Sequence, residues 1–221
     1  MLGVVAKQLA RPAKSATKSR VREEARALYR KAILDAAEAV FAEKGVHVAR
    51  VQDIAERAGL SVGVIYNYFE QKEDVLIALL TERVSDLVER FESTPEDPSG
   101  FTEQLVARVT RFLAYSDEHR AFFQVASEQG LLGPGSTSAE SLVGGKALPY
   151  KLLFQKAVEM LVAEGIAKGH LVGDPDFIVL HLRHTLKSAS LWRRDHTDVS
   201  YADAAAMAVD SFLGGVGKRK R

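Results

Sequence analysis

The side chains of this sequence best suited to chemistry are mostly neutral hydrogen-bonding groups gathered between residues 52 and 72. The segment GLSVGVIYNYF, residues 59–69, carries no charge, and three of its last four residues are aromatic. Amide, hydroxyl and ammonium groups lie close together in this region: Gln52, Ser61, Tyr66, Asn67, Tyr68 and Lys72. Such groups bond to the edges of DNA bases and to phosphate oxygens. No spacing of Ser, His and carboxylate residues predicts a catalytic site, so the chain is not expected to be an enzyme.

Two short helices are predicted to position these groups. Apolar residues recur at three- and four-residue steps from Val51 to Ala58, which indicates a helix that Gly59 ends. Ser61 is a favourable N-cap for a second helix that runs to about Tyr68. Two short helices joined in this way form a helix-turn-helix, whose second helix lies in the major groove of DNA. A helix buried in the core is the alternative, and the exposure of its outward side chains distinguishes the two.

The remaining sequence is predicted to be helical throughout. Apolar stripes at helical spacing predict helices over residues 22–44, about 70–92, 101–116, 118–130, 147–168, 175–194 and 200–213. No sustained two-residue alternation predicts a strand. The expected fold is therefore all-α, with a three-helix N-terminal domain that a long helix joins to a larger helical bundle. We expect a flexible basic arm at 1–21, the helix-turn-helix domain at 22–70, the larger domain at 71–217 and a basic tail at 218–221.

Charge is distributed unevenly along the 221 residues. Residues 1–31 carry nine Lys or Arg against two Glu, a net charge of +7, although the whole chain has a net charge of +1. A basic arm on an acidic body indicates a polyanion bound at one end. The absence of cysteine excludes disulfides and thiolate metal sites, and no apolar run reaches the roughly 20 residues that span a membrane. A bacterial cytoplasmic location is expected; the basic start is also compatible with a transit peptide.

A family resemblance rests on residues 53–76, DIAERAGLSVGVIYNYFEQKEDVL. This segment resembles the helix-turn-helix signature of TetR-type transcriptional repressors. The matching positions are Ile54, Ala55, Ala58, Gly59, Ser61, Gly63, Tyr66, Phe69 and Lys72. The strong resemblance covers about residues 28–80. It implies a homodimer of helical subunits that binds a palindromic operator in double-stranded DNA and releases it when a small, largely apolar inducer enters the C-terminal domain.

The sequence departs from the family pattern at three places. Ala49 or Arg50 stands where Thr or Ser usually caps the first helix of the motif, and a missing N-cap costs about 1 kcal/mol. Either the cap comes from elsewhere or the start of the helix frays. Val62 replaces a common Lys and Val64 a usual Thr, and both changes remove potential phosphate contacts.

The predicted DNA contacts follow from side-chain chemistry. They are Gln52, Ser61, Val62, Gly63, Val64, Tyr66, Asn67, Tyr68, Lys72 and Arg22. Tyr66, Tyr68 and Lys72 are expected on the phosphate backbone, whereas Val62 and Val64 offer apolar contact to thymine methyl groups.

The other predicted contacts are less specific. Gln52 and Asn67 could bond to an adenine edge or to a phosphate. Gly63 would let the backbone approach DNA closely. Arg22 and its basic neighbours could enter the minor groove as an arm, or act nonspecifically. Ile65 and Phe69 are expected in the core.

The resemblance also implies a ligand cavity and a dimer interface in the C-terminal half. The expected cavity residues are Phe112, Tyr115, Phe123, Phe154 and His184. The two last helices, about 175–194 and 200–213, would pair with those of a second subunit. Neither a cofactor nor a bound metal is expected.

Two other classes of function remain open. One is an architectural DNA-binding protein that is held mainly by its basic arm and has no inducer. The other is a helical enzyme in which His181 and His184 bind a metal with His170, Asp174 or Asp176. The segment GLLGPGST, residues 130–137, lacks the lysine of a phosphate-binding loop and is expected to be a linker.

Overall fold

The computed structural model describes residues 13–93, 100–128 and 148–217. Within these ranges the chain forms nine α-helices and no β-strand, which confirms the all-α prediction. The helices are α1 (Ala13–Lys44), α2 (Val51–Ala58), α3 (Val62–Tyr66), α4 (Lys72–Glu92), α5 (Phe101–Glu118), α6 (Arg120–Glu128), α7 (Leu148–Ala167), α8 (Pro175–Asp195) and α9 (Tyr201–Val216). None of the helices in these ranges is long and apolar enough to cross a membrane.

The first helix is longer than expected. It begins at Ala13 rather than at residue 22, so the last nine residues of the predicted flexible arm are helical. The sequence from 13 to 44 contains neither glycine nor proline, and nothing in it interrupts helical hydrogen bonding. Gly45, at a φ of 77°, ends the helix. Residues 1–12 of the arm, the linker at 130–137 and the tail at 218–221 lie outside the described residues.

The chain divides into two compact units inside α4, residues 1–75 and 76–221. In the first unit α1 packs on α2, and α2 packs on α3. Ile33, Phe41, Ile54 and Ile65 are fully buried in this core. Burying each of these side chains stabilises the unit by about 1.5–3 kcal/mol, so the short α2 and α3 depend on packing rather than on helix propensity.

The larger unit is built around α5. This helix packs against α6, α8 and α9, while α8 also contacts α7 and α9. Gly165 of α7 lies where an added Cβ would come within 2.8 Å of Phe101 and 2.7 Å of Leu171. The segment after α7 returns to the end of α9, where the Val172 N–H donates to the Val216 carbonyl at 3.0 Å. These contacts hold α7, α8 and α9 around the central helix.

Candidate nucleic-acid interface and ligand cavity

The turn between α2 and α3 is fixed by one glycine and one serine. Gly59 adopts a left-handed conformation with φ of 67°, which a residue without Cβ reaches at little cost. The Leu60 N–H donates to the Ala55 carbonyl at 2.9 Å, which closes the end of α2. Ser61 then caps α3, because its hydroxyl accepts a hydrogen bond from the Val64 N–H at 3.4 Å. The two short helices therefore form the predicted helix-turn-helix.

The start of α2 is capped from within the helix. The carboxylate of Asp53 accepts a hydrogen bond from the Arg50 N–H at 2.8 Å, and thereby supplies the cap that Arg50 itself cannot provide. The Lys44 ammonium donates to the same carboxylate at 2.7 Å. The hydrogen bond from Lys44, followed by that from the Arg50 backbone, lowers the pKa of Asp53 below its ordinary value. The missing N-cap of α2 is thus replaced by the side chain of Asp53, three residues after Arg50.

The outward face of α3 is exposed and uncharged. Ile65 and Phe69 point into the core, as predicted, with 1% and 8% of their surface exposed. Tyr66 is 51% exposed, Asn67 is exposed, and Val62 and Val64 are half-buried. The exposed Gln52 lies at the start of α2. Across the described residues, the side chains of Gln52, Tyr66 and Asn67 form no hydrogen bond, so their polar atoms are free for an external partner.

Nothing in the subunit requires Gly63 to be a glycine. A Cβ built there would meet only Ser61 Oγ, at 3.9 Å, which is an ordinary contact. Its φ lies outside the left-handed region, and glycine is a poor helix former. An external surface that approaches the backbone closely would account for the glycine.

The C-terminal end of α3 lies against basic and aromatic residues of α1. The Tyr68 ring lies 6.4 Å from that of Tyr29, and the Arg26 guanidinium is 5.9 Å from the centre of the Tyr68 ring. Arg22 and Arg26 are both exposed, and their four-residue spacing places them on one face of α1. Arg26 was considered only as part of the basic arm, and Tyr29 was not among the predicted contacts, although their three-residue spacing from each other is visible in the sequence.

Lys72 has a different place from the one predicted. Its ammonium donates hydrogen bonds to the carbonyls of Val46, His47 and Ala49 at 2.7, 3.3 and 2.9 Å. These carbonyls belong to the turn between α1 and α2, where a positive charge is favoured by the end of α1. The three bonds engage all three donors of the ammonium. Lys72 therefore holds this turn and is not free to reach a phosphate.

Arg50 is a basic residue that the sequence interpretation considered only as a cap. It is exposed at the start of α2, two residues before Gln52. No side-chain hydrogen bond or ion pair of Arg50 occurs among the described residues. Its neighbours Lys44 and Arg57 are instead paired with Asp53 and Glu43. Arg50 thus adds a free positive charge next to the exposed Gln52.

The larger unit contains a cavity of about 320 Å³. Phe112, Phe123 and Phe154, three of the five residues predicted to line a cavity, lie on its wall. The Phe112 ring lies 5.8 Å from each of the other two rings, edge-on to Phe123 and stacked on Phe154. Val84 and Leu87 of α4 extend this apolar wall. Burial of aromatic and aliphatic surface is the main source of affinity that such a wall offers.

Two predicted cavity residues lie elsewhere. Tyr115 is fully buried in the core, and its hydroxyl donates to the Arg83 carbonyl at 2.7 Å. His184 is exposed, and its Nδ1 lies 2.9 Å from the Leu180 carbonyl. Neither side chain reaches the cavity, so both assignments are corrected.

The histidines considered for a metal site are also separated. His170 stacks on Phe101, and His181 stacks on Phe212. Among the residues that the structure describes, no three His, Asp or Glu side chains are grouped in a way that could hold a metal ion. The described residues thus offer no support for the hypothesis of a metal-dependent enzyme.

Comparison with known proteins identifies the family. Residues 33–79 match the model for bacterial regulatory proteins of the tetR family, and this range contains α2, α3 and the turn between them. This segment belongs to the tetR family of regulatory proteins. The match covers the motif that carries the exposed neutral face.

Similar proteins include regulators from Bacillus subtilis and Mycobacterium tuberculosis. The chain is 39% identical over 79 residues to the fatty acid metabolism regulator protein of Bacillus subtilis, a match that covers 36% of this chain and 41% of that protein. It is 22% identical over 186 residues to the transcriptional repressor KstR2 of Mycobacterium tuberculosis, covering 84% of this chain and 92% of that protein. The chain thus spans about two fifths of the Bacillus relative's length.

A solved structure shares the fold over most of the chain. FadR from Bacillus subtilis in complex with stearoyl-CoA superposes with a TM-score of 0.68 at 22% identity, and the match covers 84% of this chain and 98% of that one. At this identity the similarity establishes the fold alone.

The last two helices expose large apolar side chains. They are Phe177, Leu180 and Leu191 on α8, and Met207 on α9. The other side of α9 buries Ala205, Val209 and Phe212, and that of α8 buries Ile178, Leu182 and Leu186. Both helices therefore carry apolar surface on two sides, and among the described residues only one of the two sides is covered.

Proposed function

We propose that this protein is a transcriptional repressor that binds a palindromic operator in double-stranded DNA as a homodimer. The observation that carries the proposal is the outward face of α3, on which Tyr66 and Asn67 are exposed and without a hydrogen-bond partner among the described residues. An exposed helix face without charged side chains is typical of a surface that another molecule covers. The major groove fits a helix of this size.

The DNA contacts divide into two groups. Gln52, Val62, Val64 and Asn67 meet base edges, with the two valines against thymine methyl groups. The other group meets the phosphate backbone and comprises Ser61, Gly63, Tyr66, Tyr68, Arg22, Arg26 and Arg50. Lys72 acts indirectly, because its hydrogen bonds hold the turn that precedes α2. The first group sets the sequence preference and the second sets the affinity for any sequence.

The dimer would form through α8 and α9. Their exposed apolar side chains, Leu180 and Met207 among them, would be buried against the same helices of a second subunit. A two-fold dimer presents two copies of α3, and it would bind two half-sites about 34–36 Å apart.

A small, largely apolar molecule would release the operator by binding in the C-terminal cavity. Support comes from the phenylalanine wall of Phe112, Phe123 and Phe154 and from the complex of Bacillus subtilis FadR with stearoyl-CoA. The proposed site of action is the bacterial cytoplasm.

Selection from a pool of random duplex DNA tests the proposal. The full chain should enrich a palindrome, and footprinting at moderate salt should show protection of the same palindrome upstream of a gene. Enrichment without any shared sequence would support an architectural DNA-binding protein instead.

A deletion also distinguishes a sequence-specific repressor from an architectural DNA-binding protein. Removing residues 1–20 takes away five of the nine basic residues in the first 31. The repressor should keep its sequence preference and lose affinity modestly, whereas an architectural protein held by its arm would lose all affinity.

A further inference from the structure

Three basic residues of α8 line the cavity, and we call them the α8 basic row: Arg183, Lys187 and Arg194. They stand at positions i, i+4 and i+11, with Ser190 at i+7, so all four lie on one face of the helix. At 1.5 Å per residue the row extends for about 16 Å along the cavity wall. A cavity with an apolar wall of phenylalanines therefore also has a positively charged side.

The charges of the α8 basic row are unpaired in the part of the chain that the structure describes. Among the residues that the structure describes, none of the three side chains forms an ion pair or a hydrogen bond. Other cations of the larger unit are paired, for example Arg90 with Glu118 and Lys168 with Glu164.

Among the described residues that line the cavity, Glu128 carries the only carboxylate, against the three cations of the row. It already accepts a hydrogen bond from Gln124 at 3.1 Å. The wall therefore has an excess of positive charge that no described residue neutralises.

Arg183 is the most desolvated member of the row. Burial lowers the pKa of its guanidinium, and the attraction of Glu159 does not offset that burial. Glu159 itself accepts a hydrogen bond from Gln155 at 2.7 Å. An arginine remains charged in proteins, and a desolvated charge without a partner is unfavourable. A bound anion would remove this penalty and could accept two parallel hydrogen bonds from the guanidinium.

We propose that the cavity binds an anionic amphiphile, whose apolar chain lies against the phenylalanines and whose carboxylate or phosphate lies on the α8 basic row. This inference rests on the proposed ligand cavity and specifies its ligand class. A volume of about 320 Å³ is at the small end of ligand cavities, which span about 300–1,000 Å³. A chain of moderate length with one anionic end fits such a space. The anion could be the carboxylate of a fatty acid or a phosphate of its coenzyme A thioester.

Calorimetry on the full chain without DNA tests the ligand class. The probes are dodecanoate, dodecanoyl-coenzyme A, coenzyme A alone and dodecanol, each below its micelle concentration. At least one of the first two should bind tenfold or more tightly than dodecanol, since hydrogen bonds to charged groups are worth about a tenfold change or more. Tight binding of dodecanoate would identify a carboxylate as the group that lies on the α8 basic row, and binding of the thioester alone would identify its phosphates. If dodecanol binds as tightly as both dodecanoate and dodecanoyl-coenzyme A, or if no probe binds, the proposal is overturned.

Variants test the residues of the row. Arg183→Gln should weaken binding of the anionic probe about tenfold or more and leave binding of dodecanol unchanged. Arg120→Gln, which removes a surface arginine of α6 paired with Asp117, should have no effect on either probe. The ligand-free Arg183→Gln protein should melt no lower than the wild type, because a desolvated charge is removed. Unchanged affinity in Arg183→Gln and Lys187→Gln would overturn the assignment.

Operator release distinguishes this inference from the proposed function. If dodecanoate binds but does not displace the protein from its operator, the ligand class stands and the proposed release fails. If dodecanol releases the operator as well as dodecanoate does, the proposed release stands and the anionic ligand class is refuted.

Discussion

Gly63→Ala separates stability from DNA binding within one residue. The added Cβ would meet only Ser61 Oγ, at 3.9 Å, and the backbone is not left-handed. Alanine is the better helix former, so the variant should be between unchanged and about 1 kcal/mol more stable. For a chain of this size, that gain raises the melting temperature by no more than about 4 °C.

DNA binding should respond in the opposite direction. If the backbone at Gly63 donates to a phosphate, a Cβ that holds the DNA away removes a hydrogen bond to a charged group, worth about 1.5–3 kcal/mol. At the lower end of this range, a dimer on two half-sites loses about 3 kcal/mol, or on the order of a hundredfold in affinity. Fluorescence anisotropy with a labelled operator at one fixed salt concentration measures this loss.

Gly59→Ala is the matched control in the same motif. Its Cβ would meet nothing within 4 Å, but its φ is 67°, so the left-handed backbone costs about 1–2 kcal/mol. The control shows how far a purely conformational loss reduces DNA affinity. Wild-type affinity in Gly63→Ala would refute the close approach of DNA, and a melting temperature below that of Gly59→Ala would refute the claim that the subunit does not need this glycine.

Four further changes probe single contacts. Tyr66→Phe removes a hydroxyl that forms no hydrogen bond among the described residues, so stability should stay within about 0.5 kcal/mol of the wild type. Fluorescence anisotropy should show a roughly tenfold weaker affinity for every operator variant. A loss confined to one base pair would instead indicate base recognition. Lys72→Ala leaves three carbonyls without their donor and should cost about 2 kcal/mol in urea unfolding without DNA, and an unchanged unfolding midpoint would contradict its structural role. Because the pKa of Asp53 is lowered, its carboxylate contributes fully to folding stability above the ordinary carboxyl pKa of about 3.9, and this contribution is lost as the pH falls through the lowered value. The Asp53→Asn variant should therefore lose less stability in acid than the wild type, which urea midpoints measured at a series of pH values would show. Gly165→Ala places a Cβ within 2.8 Å of two side chains and should destabilise the larger unit by about 1–3 kcal/mol, a shift that calorimetric melting would detect.

Helix positions could be predicted well wherever a helix is packed. Apolar side chains at helical spacing, such as Ile33 and Phe41, indicate the buried face of a helix, and glycines such as Gly45 indicate where the helix ends. The start of α1 was missed because residues 13–21 have no apolar stripe. Helix propensity does not require such a stripe, and a pattern of apolar spacing cannot detect a helix that lacks one.

The candidate sites were predictable only in part, since partners distant in sequence decide the role of a polar group. Lys72 has the chemistry of a phosphate contact, but the carbonyls that accept its hydrogen bonds lie 23 to 26 residues earlier. Tyr115 shares an inward face with Phe112, but its hydroxyl is bonded to the Arg83 carbonyl in the core. The α8 basic row was in the sequence, but only the packing of α8 shows that it faces a cavity.

The neutrality of α3 has a consequence for how such a regulator can diversify. From Ser61 to Phe69 no side chain is charged, whereas Arg22, Arg26 and Arg50 lie on the helices beside it. Under the proposed function, the residues that set the affinity for any DNA duplex and the residues that set the sequence preference then lie in separate parts of the chain. Exchanges at Val62, for example, can redirect the protein to another promoter without altering the ionic strength at which it dissociates.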